Sequence, residues 1–498
     1  MSVSFKTTGQ VSSFFERRAA ALRYDATAPS PPFDGLSTFA PLWGIAMTFS
    51  LAADPLKFAG QGGLVMMALL WAGAVGSILL MVHPRSTLLL GALAALSVAI
   101  YVWRLPVASN NKTISAFMNG SVLVVLGVLA ARGLRGEVLR ETAYEHLRVV
   151  ARGLLAVMYI YGIFHKINTD FLHPEVSCAV GLYKPLSAPF GLDDDLIGRY
   201  LAIYATFIVE TITIVGLYWK RFFAVGLICG LVFHYVIPIS AFSWYMDFSS
   251  LVLALYALSI PKTVSGKLYA DAVQVLRPVR KRLGRLAVLA PGLMVAAAAV
   301  AVVLMVSLGQ PQREFIMVYH SVWIVVWSMV GGVAIVAMTR AAIEHLPYEG
   351  PRSPRQPAWL YLIPGAMFLM CLSPYVGLKT ESSVNMFSNL HTEGGVSNHL
   401  LLPKPPYLFG YQKDLARLLD SNDPYIDRLA AQDQYMVMLS LKEYLRKRPN
   451  VWVTYESNGQ LHSRVRSADF QGRDANLIER NLLVFKLVDF KRPKVCTH

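Results

Sequence analysis

Charge is scarce in this chain. Only 15% of its 498 residues are charged, against about 25% in an ordinary soluble domain. That shortage excludes a disordered chain, a fibrous repeat and a typical cytosolic enzyme. Cysteine is scarce too: Cys178, Cys229, Cys371 and Cys496 are the four. None forms a CxxC pair, which argues against a zinc site or a thioredoxin-type centre. HExxH, a Walker loop and GxSxG in a strand–turn–helix setting are all missing, so the common metalloprotease, nucleotide and serine-hydrolase signatures are absent. Residues 1–34 carry Lys6, Glu16, Arg17, Arg18, Arg23 and Asp25 without an apolar segment. They read as a cytoplasmic tail with a short amphipathic helix over 11–24, not as a signal peptide.

Apolar residues fill the space that charge leaves, at 55% of the chain. Apolar windows predict an all-α polytopic membrane bundle of about eleven spans, near 37–54, 62–82, 86–103, 114–132, 148–165, 197–218, 222–239, 242–260, 287–308, 316–338 and 358–374. The formal charge of +15 would suggest nucleic acid in a soluble protein. Here the basic residues sit between spans, as cytoplasmic loops require, and no nucleic-acid partner is expected. Arg132, Arg135, Arg140 and Arg148 follow the fourth span, and Lys220 and Arg221 the sixth. Lys262, Lys267, Arg277, Arg280, Lys281, Arg282 and Arg285 follow the eighth, and Arg340, Arg352 and Arg355 the tenth. All fall on one side if the N-terminus is cytoplasmic, which puts loop 166–196 and everything after 374 outside. Ala-rich spans suit a bacterial inner membrane.

Four regions result: the tail 1–34, a transmembrane domain 35–374, a polar junction 375–404 over the outer mouth, and a small extracytoplasmic α+β domain 405–498. In the last, 433–445 and 475–483 read as helices and 484–490 as a strand. The runs 451–456 and 460–466 flank Asn458-Gly459, a hairpin signal. Cys178 and Cys496 both fall outside, but sequence leaves their pairing open. No internal repeat is visible, which counts against a secondary transporter.

An ionisable group within a span costs about 2.5–3.5 kcal/mol on insertion scales, so each needs a reason. The fifth span ends in His165, Lys166, Asn168 and Asp170, with Tyr159 and Tyr161 before them and His173 after. Lys166 and Asp170 are four apart and would share a helix face. A snorkelling lysine with Asn and Asp as caps accounts for the spacing as well as a site does. Glu210 lies mid-span, and must be neutral, paired or facing a wet cavity. His234 and Asp247 complete the set, and a lone histidine on an apolar helix also serves simply as a core residue. A low-dielectric cavity would favour a neutral lysine, able to act as a base.

Lys166-Ile-Asn-Thr-Asp170-Phe171, closing an apolar helix, resembles the K-L-D-A-D-W segment of vitamin K-dependent gamma-carboxylase and of the bacterial HTTM-domain membrane proteins grouped with it. Glu210 is similar to an acidic position in the family's next span. Phe233-His234 with Phe242-Ser243 and Met246-Asp247-Phe248 resembles its F-H…F-S-I-G-M-F region, and the stretch 373–399 resembles its bacterial members. The resemblance spans roughly residues 35–400. It implies an enzyme of lyase type that oxidises reduced vitamin K, or a menaquinol, with oxygen. The strong base so formed takes a proton from glutamate, and carbon dioxide adds. It also implies that Lys166 deprotonates the hydroquinone. His165 and Asp170 beside it are further catalytic candidates, and Glu210, His234, Asp247, Asn168 and Tyr161 are candidates to line the substrate cavity. Two departures stand out: Tyr235-Val236 replaces the family's Met-Asn, and about 95 residues replace its large β-rich C-terminal region. The expected partners are the bilayer, a quinone-type lipid and an extracytoplasmic protein or peptide. Two other classes compete: a scaffold whose C-terminal domain binds another chain, and a proton-coupled transporter using Glu210 and His234.

Overall fold

The computed structural model describes residues 34–496, apart from 53–54, 107–108, 242–243, scattered positions in 262–280, all of 283–312, and 346–355 and 471–474. The expected helix over 11–24, the span over 287–308 and parts of the basic loops lie outside the described residues.

The described chain is mostly helical. The bundle comprises α1 (Gly35–Ala52), α2 (Pro55–Val82), α3 (Thr87–Arg104), α4 (Asn110–Ala131), α5 (Gly136–Lys166), the short α6 (Cys178–Ser187), α7 (Leu196–Tyr218), α8 (Phe223–Ser240), α9 (Met246–Ser259), α10 (Arg313–His345) and α11 (Leu362–Cys371). Among the described residues, seven helical stretches, in α2–α5, α7, α8 with the turn before it, and α10, are long and apolar enough to cross a membrane. The expected windows at 37–54, 242–260 and 358–374 form shorter apolar helices instead, and the eleven-span count is not reproduced. The 14 residues of α9 rise only about 21 Å, short of a hydrocarbon core of about 30 Å. Its start follows Tyr245, which has a left-handed φ of 68°. A single 3-10 turn precedes α11, and Gly377 at φ 82° ends the turn that follows it.

The bundle is organised around α9. Thirteen of its residues are buried and only Asp247 is not, as expected of a helix that is apolar all round. It packs on α1, α5 and α8. The helix ends sort into two groups. At one end Arg140 binds Asp34 (2.5 Å), Tyr144 donates to the Ile260 carbonyl and Thr38 to that of Ser265. At the other, Val384 N donates to Asn110 Oδ1 and Thr169 N to the Asn398 carbonyl.

After the bundle comes a four-stranded antiparallel sheet in the order β2-β1-β3-β4: β1 (Leu415–Ser421), β2 (Tyr435–Val437), β3 (Val453–Ser457) and β4 (Gln460–Val465). The hairpin forms at Asn458-Gly459, both at positive φ. Helices α12 (Pro424–Ala431) and α13 (Met438–Arg446) cover one face, and α14 (Leu477–Leu482) follows. Two expectations fail here. The helix read from 433 starts at Met438, because Asp433 is left-handed and 435–437 pairs with β1. The strand read over 484–490 makes a single bridge, Tyr435 to Val488. Its backbone instead holds the junction: Thr380 and Glu381 donate to the Val484 carbonyl.

Candidate functional site

The site starts where α5 stops. Asn168 ends the helix by donating to the His165 carbonyl (2.7 Å) and to Ser388 O (2.6 Å), while its own Oδ1 accepts from Phe171 N. A last-turn carbonyl that would otherwise lack a donor is thereby satisfied. Lys166 becomes the final helical residue, where the helix dipole favours a cation. Its Nζ donates to both carboxylate oxygens of Glu210 on α7, at 2.6 and 2.8 Å. Both side chains are buried, with 5% and 9% exposure. The Phe171 ring lies 5.9 Å from Nζ.

This ion pair lines a cavity of about 250 Å³. Its walls are otherwise largely apolar: Met158 and Tyr159 of α5, Leu182 and Leu186 of α6, Val209 of α7, Phe233 and Ile237 of α8, and Phe248 of α9. Val384, Met386 and Phe387 of the junction close one side. The junction backbone is strained there. Val384 and Phe387 hold φ of 59° and 54°, a region that bulky and β-branched residues avoid and that clusters at functional sites.

His234 reaches the same cavity. Its Nε2 lies 2.9 Å from Tyr159 Oη, which in turn contacts Tyr256 Oη. Its Nδ1 has no partner among the described residues, although the ring is 2% exposed. If the tyrosines donate in sequence, Tyr256 to Tyr159 to His234, Nδ1 carries the proton.

Of the predicted residues, Lys166, Glu210 and His234 therefore meet in one cavity. The others do not line it. Asp170 falls after the helix end, so the four-residue spacing brings it nowhere near Lys166's face. It accepts instead from Asn398 Nδ2 (2.9 Å) and Lys494 N (2.8 Å), tying down the C-terminal segment. His165 points about 100° away from Lys166. It is buried against Tyr375, with Nδ1 2.7 Å from Tyr375 Oη. Tyr161 packs on Phe368 of α11. Asp247 pairs with Lys112 (3.1 Å). Asn168 is a helix terminator. Among these, Asn168, Asp170 and His165 shape the site from behind.

The sequence places Tyr159 only beside the polar cluster and gives Tyr256 no role. Tyr159 lies two turns before Lys166, hence on its face, and that spacing is a usable signal. Tyr256 lies in an unbroken apolar run and carries none. The remaining departure, Tyr235, ties α8 to α10: its Oη donates to the Ser328 carbonyl (3.0 Å), and its own carbonyl accepts from Trp327 Nε1.

Behind the junction lies a second buried polar set. Glu393 accepts from the backbone of Thr392 (3.0 Å) and Lys486 (3.2 Å). Burial works against its charge, but His391, Lys494, Thr380 and Lys486 hold its pKa below the usual carboxylate value. A disulfide joins Cys178, on the cavity wall, to Cys496. It settles the pairing that the sequence left open. No group of three or more metal-ligating side chains occurs among the described residues.

Comparison of the chain with family models, with curated proteins and with solved structures finds no match.

Proposed function

We propose that this chain is an integral membrane enzyme acting on a quinol-type lipid, as its resemblance to the HTTM-domain, gamma-carboxylase-like proteins implies. The observation that carries the reading is the buried Lys166–Glu210 pair on the wall of an apolar cavity. Replacing a buried ion pair by apolar side chains is often neutral or stabilising. Packing alone therefore gives little reason for this one, and an ionisable residue among membrane helices is by default a functional one.

A bicyclic hydroquinone head suits the cavity's largely apolar walls and the polar side chains of Lys166, Glu210 and His234. Its chemistry would be supplied by oxygen: one hydroquinone and one dioxygen give one epoxide and one water. The chain's residues handle protons. Lys166 and Glu210 share one along a 2.6 Å hydrogen bond. Passing it to the carboxylate leaves a neutral amine and a neutral acid. The amine then takes the hydroxyl proton of the bound head. His234, fixed through Tyr159, orients the oxygen at the other end.

Topology fits this use. With the N-terminus cytoplasmic, the Lys166 end of α5, the junction and the C-terminal domain all lie outside. The basic loops favour that orientation, and so does a disulfide, which persists in an oxidising compartment. The inner membrane of a bacterium meets both conditions. A carboxyl-bearing peptide is the acceptor that the resemblance implies.

The test is quinol consumption by purified protein. Lys166→Ala should lose about 10²–10⁴-fold, the scale of a general base, in protein that still unfolds cooperatively, at a midpoint lowered by the loss of the ion pair. A folded Lys166→Ala with full activity would overturn the proposal. Lys166→Ala silent in cells while deletion of 405–498 is not would favour a scaffold. Flux in vesicles that depends on pH and on Glu210 would favour a transporter.

A further inference from the structure

We infer that the cavity is loaded sideways from the bilayer, through a wedge between α7 and α8. Its ligand is a lipid whose head reaches Lys166 while its long apolar chain stays in the wedge. This rests on the reading of the cavity as a substrate site and names how that substrate is built.

The wedge has a pivot. A Cβ on Gly216 of α7 would lie 2.5 Å from the Gly226 Cα of α8, so the two backbones touch there. One turn further the helices are still tight, since a Cβ on Gly230 would meet Thr213 Cγ2 at 2.7 Å. Beyond that the cavity lies beside both helices. Val209, Ala205 and Ala202 of α7 face the same cavity as Phe233, Val236 and Ser240 of α8. A cavity flanked by two antiparallel helices that touch at one end is a wedge. Short alanine side chains widen it on the α7 side. α6 packs on both helices at the open end and roofs it.

Three further observations give the direction and the ligand. Ala205 lines the cavity yet is exposed, and Leu186 of α6 lines it at 39% exposure. The opening is therefore on the flank of the bundle. That flank is apolar, with Leu201, Tyr204, Ile208 and Ile212 of α7 exposed around it, as for a surface that meets hydrocarbon. At about 250 Å³ the cavity falls below the roughly 300–1,000 Å³ of pockets that enclose a ligand whole. It holds a head group, and among the described residues the wedge is the way out for a long chain. On the junction side, among the described residues, Phe387 covers the cavity, packed on Tyr245 at 4.7 Å between ring centroids.

The experiment uses the full chain in nanodiscs and two probes, a long-chain menaquinone and tail-less 2-methyl-1,4-naphthoquinone, with binding read by native mass spectrometry. Wild type should bind both. Ala205→Trp should weaken the long-chain probe at least tenfold more than the tail-less one. Equal loss of both, or of neither, would overturn the inference. If Ala205→Trp does not fold, Ala202→Leu asks the same question with less bulk. A phospholipid with a diazirine in its acyl chain gives the independent readout. Cross-links to the cavity-lining Ala202 and Val209 of α7 and Val236 and Ser240 of α8 support lateral loading, and their absence overturns it. Cross-links there, with neither quinone bound by wild type, would keep the lipid wedge and overturn the quinol reading.

Discussion

Lys166 Nζ donates to both carboxylate oxygens of Glu210, 44 residues away and on another helix, at 2.6 and 2.8 Å. Removing one partner leaves the other charge buried and alone. Lys166→Met and Glu210→Leu should each destabilise by about 3–5 kcal/mol, while the double substitution should be close to neutral. Thermal unfolding of the three variants in detergent checks this. Additive losses would mean that the two groups are not coupled.

Asn168 should matter for stability and position, not for proton transfer. Asn168→Ala strips donors from the His165 and Ser388 carbonyls and an acceptor from Phe171 N. Each buried group left unsatisfied costs about 1–3 kcal/mol. A clear drop in the unfolding midpoint is expected, with any surviving activity keeping the wild-type pH profile. A changed pH profile would give Asn168 a direct part in the chemistry.

The sequence carried the helical, membrane-like character and the sheet hairpin, because apolar run length and Asn-Gly turns are local signals. It also carried Lys166, Glu210 and His234 as individuals, because a charge among apolar residues stands out. It did not carry their pairing, which is set by how α5 and α7 pack. The Lys166–Asp170 pairing failed for a local reason: four-residue spacing works only while the helix continues, and Asn168 stops it. Phe387 enters the cavity wall from a loop whose left-handed residues leave no periodic trace.

Lys379, beyond the end of α11, gives a prediction with a definite sign. Burial pushes its pKa from the ordinary 10.5 down to about 8. The unfolded chain therefore binds more protons between those values, and stability rises with pH across that window. The wild-type unfolding midpoint should gain on that of Lys379→Met from about pH 8 to 10.5. Parallel curves for the two proteins would contradict this placement of the ammonium.

The Cys178–Cys496 disulfide clamps the C-terminal segment to the cavity wall. Under non-reducing conditions both thiols should resist maleimide and become reactive after reduction and denaturation. Cys178→Ser should cost about 2–5 kcal/mol, as removal of a native disulfide does in small domains. Free thiols at both positions in protein taken directly from membranes would contradict both the clamp and the extracytoplasmic placement.

The central claim is that Lys166 works as a base on a quinol-type lipid. The direct measurement mixes purified wild type and Lys166→Ala with reduced menaquinone or vitamin K and oxygen, and looks for the epoxide by mass spectrometry. Epoxide from wild type, and at least a hundredfold less from a folded Lys166→Ala, is the predicted result. Equal epoxide from both, or none from either well-folded protein, would contradict it.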